Sequence, residues 1–353
     1  TTGVQNVLVG GLAGDALTTG SQNTAVGYGA LSTEDANGRN TAIGYGALNL
    51  LNAGAEGFNT AVGDLAGTAM TTGVQNTIIG GLAGDALTEG GENLALGYNA
   101  LSAETKGDRN VALGAYALFT QNNTTNADTY NTAIGYNAGF ATTTGINNTL
   151  IGGLAGDALT TGTRNVAIGL NALGTEDTGS HNVAIGHQAL AVADAGADAY
   201  NVAIGSSAGA AVTTGVQNTI VGGGAGKAFT TGQRNVAVGY GALESEDAHG
   251  LNTAIGWAAL NTLDAGADAH NVAVGYSAGL AMTTGVNNTI IGSLAGDALT
   301  SGSYNVAIGR NALSAEDAHG TNVAVGYDTL ALQNAGADAY NTAIGYAAGV
   351  NVS

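Results

Sequence analysis

The chain has 353 residues, no cysteine and no proline, and its 26 acidic residues against seven basic ones leave a formal net charge of −19. This charge argues against nucleic acid and anionic membranes as partners, because no basic patch can be assembled, and the lack of cysteine excludes disulfides and thiol chemistry. No run of about 18 apolar residues is present, so we expect no membrane insertion of this segment.

A five-residue motif, Asn-Thr-Ala-Ile-Gly at residues 40–44, recurs along the whole chain in twenty near-copies. Counted from each motif asparagine to the next, the intervals run 17, 17, 19 and 17 and then repeat, with 21 replacing 19 once. We call each motif with the residues up to the next one a coil, and we count positions in a coil from its asparagine. A repeat of this regularity is typical of a solenoid.

Each motif predicts a short β-strand, because position 2 is Thr or Val in nineteen copies and position 4 is always Val, Ile or Leu. A coil of this length allows two short strands and two turns, and successive coils stack at about 4.8 Å. The predicted fold is therefore an all-β, parallel β-solenoid or β-roll of about twenty coils of 17–21 residues. We expect a single solenoid segment over 1–353, and its start in mid-repeat suggests a longer protein.

Four coils form a super-repeat, because the residue at position 9 follows a strict Gly, Leu, Leu, Gly order. The five super-repeats span residues 6–75, 76–147, 148–217, 218–287 and 288–353. Residues 312–318 could form a helical turn instead of a strand. The third coil of the second super-repeat is two residues longer than its counterparts, and we expect this insertion, at 121–126, to protrude.

The repeated asparagine is predicted to form a structural ladder, with each side-chain amide satisfying turn groups of its own and the next coil. The ladder residues that we single out are Asn6, Asn23, Asn40, Asn59, Asn76, Asn148, Asn218 and Asn288. Position 3 lies on the opposite strand face from positions 2 and 4, and it is apolar as well. We expect this third position to face a second chain, forming an oligomer face with Leu8, Ala42, Ile78, Leu150, Ala167, Ile220 and Ile290.

The pattern Asn-Thr/Val-Ala-Ile-Gly-x-x-Ala resembles the YadA-like head repeat of trimeric autotransporter adhesins, and similar repeats occur in tail fibres of bacterial viruses. The resemblance covers Asn6 to Gly349. It implies a left-handed parallel β-roll, three chains around one axis, and a role in surface attachment, with no catalytic residues. The coils here are longer than the usual adhesin repeat.

Acidic residues recur at fixed coil positions, as at Glu34 and Asp35, but members of one column lie four coils apart, about 19 Å, which is too far to share an ion. We therefore interpret these acidic positions as solvated turns, predict no metal and no cofactor, and find no cluster that indicates an enzyme. Several aromatic residues follow the motif glycine and could stack on sugar rings, although covering corners or seams between chains is the simpler explanation. They include Tyr45, Tyr98, Tyr240, Trp257 and Tyr276.

The sequence thus favours a non-enzymatic shaft or head segment of an extracellular fibre, on a cell surface or virion, that mediates attachment. We expect a homotrimer or another fibrous homo-oligomer. The alternative is a module that binds a host-surface glycan or a protein receptor directly. An ice-binding solenoid is less favoured, because threonine occurs once per strand beside Ile or Val and not in paired rows.

Overall fold

A computed structural model describes residues 2–352 and shows an all-β chain, a parallel β-solenoid of about twenty coils. The chain divides into two compact units, Thr1–Gly179 and Ser180–Ser353. Each unit contains ten of the twenty motifs, and the boundary lies inside the super-repeat 148–217. The predicted fold class is confirmed.

The first unit contains twelve strands in its described residues: β1 (Val7–Val9), β2 (Thr24–Val26), β3 (Thr41–Ile43), β4 (Thr60–Val62), β5 (Thr77–Ile79), β6 (Leu94–Leu96), β7 (Gly107–Asp108), β8 (Val111–Leu113), β9 (Ala127–Asp128), β10 (Thr132–Ile134), β11 (Thr149–Ile151) and β12 (Val166–Ile168). The second unit contains ten: β13 (Val183–Ile185), β14 (Val202–Ile204), β15 (Thr219–Val221), β16 (Val236–Val238), β17 (Thr253–Ile255), β18 (Val272–Val274), β19 (Thr289–Ile291), β20 (Val306–Ile308), β21 (Val323–Val325) and β22 (Thr342–Ile344). All except β7 and β9 are the predicted motif strands, so most coils contain one strand and not the two that were expected from their length.

Successive motif strands within each unit pair in parallel and in register. Ile43 of β3 lies opposite Val62 of β4, although the coil that joins these strands has 19 residues and the coil before it has 17. Strands β8 and β10 keep the same register although the longest coil lies between them. Backbone hydrogen bonds also join the turns of neighbouring coils, as from Leu48 N–H to the Ala66 carbonyl at 3.0 Å. The stacking prediction is confirmed, and extra residues leave the stack undisturbed.

The motif glycine is required by the close approach of neighbouring coils. Gly44 has φ +140°, and a β-carbon added there would lie 2.1 Å from the carbonyl oxygen of Gly63 in the next coil. A distance this short is a clash with backbone, so no residue with a side chain fits. The same geometry recurs at Gly63, whose added β-carbon would lie 2.4 Å from the Gly80 carbonyl oxygen.

The position-3 side chains point into the coil, which corrects the predicted oligomer face. Six of its residues are fully buried within the single chain: Ala42, Ile78, Leu150, Ala167, Ile220 and Ile290. The seventh, Leu8, belongs to the first coil, which has a neighbouring coil on one side only, and it is therefore exposed, at 44%. The coil is thin, so the small alanine suits its interior. An alternating strand that is apolar on both faces does not reveal which face is inside.

The two irregular segments behave differently. Residues 312–318 form a turn followed by bends and irregular backbone, and none of them is helical. In the predicted insertion, Asn122 and Thr124–Asn126 are exposed as expected, but Gln121 is fully buried and Asn123 nearly so. The exposed residues that follow the insertion pair through β9 with β7 of the preceding coil. The prediction that the whole insertion protrudes is therefore confirmed only in part.

Candidate interaction surface

The asparagine ladder connects consecutive coils through hydrogen bonds. The Oδ1 of Asn59 accepts a bond from the backbone N–H of Asn76 at 2.9 Å, and the Nδ2 of Asn76 donates to the carbonyl of Gly90 at 3.0 Å. The other predicted ladder residues make the same Oδ1 contact to the next asparagine. These side chains satisfy buried backbone groups at the strand ends, so their role is structural.

The glutamates of the second coils are buried, which corrects their interpretation as part of a solvated turn. Glu34, Glu104, Glu176, Glu246 and Glu316 are fully buried at position 12, whereas the following Asp35 is exposed. The Glu34 carboxylate accepts hydrogen bonds from the backbone N–H groups of Asn37 and Ala53. A carboxylate with four lone-pair sites can thus replace an apolar core residue by satisfying turn N–H groups that would otherwise be unpaired.

The surroundings of two of these glutamates differ sharply. Glu104 accepts bonds from four backbone N–H groups and from the side chains of Gln121 and Asn123. Glu246 has Leu263 at the corresponding position of the next coil, and its bonds from the N–H groups of His249 and Ala265 are 3.2 and 3.5 Å long. Burial raises the pKa of Glu246 to about 7.

Three groups of acidic and imidazole side chains have ligand atoms within 4.8 Å of one another. They are Glu246 with Asp247, His249 and Asp264; Glu316 with Asp317 and His319; and Glu176 with Asp177 and Asp194. In each group the buried glutamate is already bonded to backbone N–H, as Glu176 is to Gly179 at 2.8 Å. Such acidic groups occur commonly without an ion, and we do not assign a metal site to them.

The outward face of the strands is an apolar strip, formed by the Thr or Val at position 2 and the Val, Ile or Leu at position 4. These side chains are mostly half-buried, because each is flanked by the same position in the coils on either side. The end strand β1 shows the effect, since its Val7 and Val9 are 52% and 56% exposed. In the strand next to it, Val26 is only partly exposed. Within one unit of ten coils the strip covers roughly 48 Å by about 10 Å, as large as the largest apolar patches of monomeric proteins.

The five aromatic residues singled out from the sequence are all exposed, but three of them place their rings against other rings in stacked pairs. Tyr45 stacks on Tyr28 with ring centroids 5.8 Å apart, and Trp257 stacks on Tyr276 at 5.0 Å. These stacked rings have one face covered by a neighbouring coil. They stabilise the corners of the solenoid as much as they offer a surface to a ligand.

Tyr98 and Tyr240 have different neighbours. The rings of Tyr98 and Tyr116 make an edge-to-face contact. Tyr116 makes a second such contact with Phe119, and Phe119 stacks on Phe140, so the four rings form an aromatic cluster. This cluster was not predicted, because Tyr116 is one position beyond the aromatic column that follows the motif glycine. Tyr240 lies against the glycine of the preceding coil, Gly223, and lines a cavity there.

Comparison with family models finds no match for this chain, and comparison with curated proteins finds none either. Within residues 2–352, no helix is long and apolar enough to cross a membrane.

Proposed function

We propose that this chain is a non-enzymatic shaft or head segment of an extracellular fibre, a surface adhesin or phage tail fibre, that mediates attachment at a cell surface or from a virion. The supporting feature is the outward apolar strip, formed by positions 2 and 4 of the stacked motif strands. An isolated chain leaves this strip uncovered. Burying apolar area stabilises an assembly by about 25 cal/mol per Å². Covering the strip with the same strip of other copies satisfies this requirement with one kind of chain.

The proposed assembly is a homotrimer, the state that the resemblance to adhesin heads implies, with the strips of three chains facing a common axis. This arrangement replaces the interface expected at position 3, which lies inside the coil. The formal charge of −19 suits such a fibre, because the acidic side chains outside the strip keep the copies soluble. The coils supply stiffness, because backbone hydrogen bonds join the turns of neighbouring coils in addition to joining their strands.

The mass of the 353-residue chain in solution, measured by light scattering, tests the proposal. We expect three copies for the wild type. Ile255→Glu introduces a charge into the strip and should shift the mass to one copy, with the circular dichroism of a folded β-protein retained. Leu332→Glu is the matched control, because Leu332 is also an exposed apolar residue, at position 11 of its coil and outside the strip. A folded wild-type monomer would overturn the assembly.

A further inference from the structure

The five super-repeats act as internal comparisons, and the first coil of the fourth one differs from its counterparts. At position 7, Gly224 stands where the others have Leu12, Leu82, Leu154 and Leu294. At position 10, Lys227 stands where the others have Asp15, Asp85, Asp157 and Asp297. This coil therefore lacks the large apolar side chain of its counterparts at position 7 and has the opposite charge at position 10, so its surface chemistry differs from theirs.

The preceding coil departs in the same direction. This coil, which begins at Asn201, is the fourth coil of the third super-repeat, and it has Ser206 at position 6. The fourth coils of the other super-repeats have Asp64, Tyr136, Tyr276 and Tyr346 at this position. Its position 7 is also small, Ser207, with φ +56°. Two adjacent coils have therefore both lost bulk at the same corner of the solenoid.

A cavity of about 260 Å³ lies at these positions in the second unit. It is lined by Ser206, Ser207, Gly224, Lys227, Tyr240 and Glu244. A β-carbon added to Gly224 would have no atom within 4 Å, so the space above this residue is open. A leucine side chain, as in the other first coils, would project from this same backbone position.

The lining combines an aromatic ring with groups of both charges. The Tyr240 ring lies beside Gly223, its Cδ2 atom 3.5 Å from the position of an added β-carbon there, and 65% of the residue is exposed. Glu244 is held by a hydrogen bond from the Nδ2 of Asn261 at 3.0 Å, which leaves the other carboxylate oxygen free of that contact. Lys227 makes no ion pair within residues 2–352, unlike Lys106, which pairs with Glu89 at 2.8 Å.

We propose that this cavity binds a single sugar residue that carries a carboxylate. The aromatic ring suits the apolar C–H face of a pyranose, and serine hydroxyls and the Glu244 carboxylate suit its hydroxyl groups. Lys227 supplies the charge for the sugar carboxylate, in a chain whose other first coils present an aspartate there. The cavity is smaller than the pockets that hold drug-sized ligands, so it has room for one sugar ring, and any further residues of a glycan would lie outside it.

This site goes beyond the fibre function proposed above and does not depend on the assembly, because every lining residue belongs to one chain and one unit. Two acidic sugars share the required chemistry, a hexuronic acid and a sialic acid. They differ in size and in the glycerol side chain of the sialic acid. Separate binding measurements with a hexuronic acid and with a sialic acid therefore show which of the two sugars the cavity prefers.

The test is ligand-observed saturation-transfer NMR on the full 353-residue chain with glucuronic acid, N-acetylneuraminic acid and glucose as separate probes. We expect transfer to at least one acidic sugar and much less to glucose. Gly224→Leu should abolish transfer. Lys227→Asp should weaken binding by at least about tenfold, because it removes one charge-assisted contact and places a carboxylate that repels the sugar carboxylate. Both variants introduce the residue of the other super-repeats, and Leu154 already adopts φ +57° at this position, so the fold is expected to survive.

The matched control is Gly29→Asn, a change in the same position-7 column that introduces the residue found at Asn99, Asn171 and Asn311. It lies in the other unit and should leave the transfer unchanged. Absence of transfer to both acidic sugars overturns the proposal, as does full binding by a folded Gly224→Leu chain. Equal transfer to glucose, unaffected by Lys227→Asp, overturns the assignment to an acidic sugar.

Discussion

The Cδ1 atom of Ile78 lies 3.2 Å from the point where a β-carbon on Gly84 would sit, and equally far from the corresponding point on Gly67 in the preceding coil. One large side chain thus fills the space that two glycines leave. The same relation holds for Leu150 with Gly156 and Gly139, at 2.8 and 2.7 Å. In the second and third coils the volumes are exchanged, with alanine at position 3 and leucine at position 9. The four-coil super-repeat is therefore a pattern of compensating volumes in the core.

The first prediction tests this compensation. Gly84→Leu alone should lower the free energy of unfolding by roughly 1–3 kcal/mol, because the core beside Ile78 has no room for the added side chain. The double variant Ile78→Ala with Gly84→Leu reproduces the pairing of Ala25 with Leu31, whose φ of +52° is close to the +51° of Gly84. The double variant should recover more than half of the free energy of unfolding that Gly84→Leu alone loses.

Urea denaturation of the wild type, both single variants and the double variant would measure the coupling between the two positions. Ile78→Ala alone should cost about 2–5 kcal/mol through the cavity it creates. If the losses of the two single variants simply add in the double variant, the two residues do not compensate for each other.

The second prediction concerns Glu246. Its pKa is about 7 in the folded chain against an ordinary value of 4.5, because burial disfavours the charged carboxylate. Between these two values the folded chain retains a proton that the unfolded chain has released. The free energy of unfolding therefore falls as the pH rises through this window, and the contribution is fully present only below pH 4.5.

Glu246→Gln stays neutral at every pH, so its stability relative to the wild type should improve by roughly 1–3 kcal/mol between about pH 4.5 and about pH 8. Thermal unfolding at both pH values measures the change. Asp247→Asn is the control, because it removes an exposed neighbouring carboxylate, and the stability gain expected of Glu246→Gln should be absent from this variant. A difference between Glu246→Gln and the wild type that is constant with pH would contradict the assignment to Glu246.

The third prediction separates the two parts of the longest coil. Deleting Thr124 and Thr125 should change the thermal midpoint little, because both are exposed and the shortened coil matches the other third coils in length. Gln121→Ala should cost about 1–3 kcal/mol. Its amide donates to Glu104 at 2.8 Å and accepts from Asn131 at 2.9 Å, and both partners are buried. A deletion more damaging than Gln121→Ala would show that the exposed part holds the coil in place.

The fourth prediction compares adjacent residues on opposite faces of β17. Ala254→Glu places a charge in the fully buried interior and should unfold the coils around it at any protein concentration. Ile255→Glu, one residue later and 40% exposed, should leave the circular dichroism intact and affect only association. Circular dichroism across a range of concentrations distinguishes the two effects. A folded but dissociated Ala254→Glu chain would restore the position-3 face as the interface.

Much of the fold follows directly from the spacing of the motif. A strand that returns at a nearly constant interval can hydrogen-bond with its own copies, so parallel stacking, register and the asparagine ladder are predictable from Asn40, Asn59 and their equivalents. The position of the extra residues is predictable only in part, because Thr124–Asn126 leave the stack at a turn whereas Gln121 and Asn123 of the predicted insertion are buried. Local repetition is sufficient for these features.

The direction of each side chain was decided by the tertiary structure. Alternation places Ala42 and Ile43 on opposite faces, but both are apolar, and only the closure of the coil puts Ala42 inside, where the width of the interior suits a small side chain. Glu34 resembles its exposed neighbour Asp35 in sequence, yet it is buried because the turn offers backbone N–H groups to its carboxylate. The cavity at Gly224 likewise depends on three coils brought together by stacking, since Ser206, Lys227 and Glu244 are far apart along the chain.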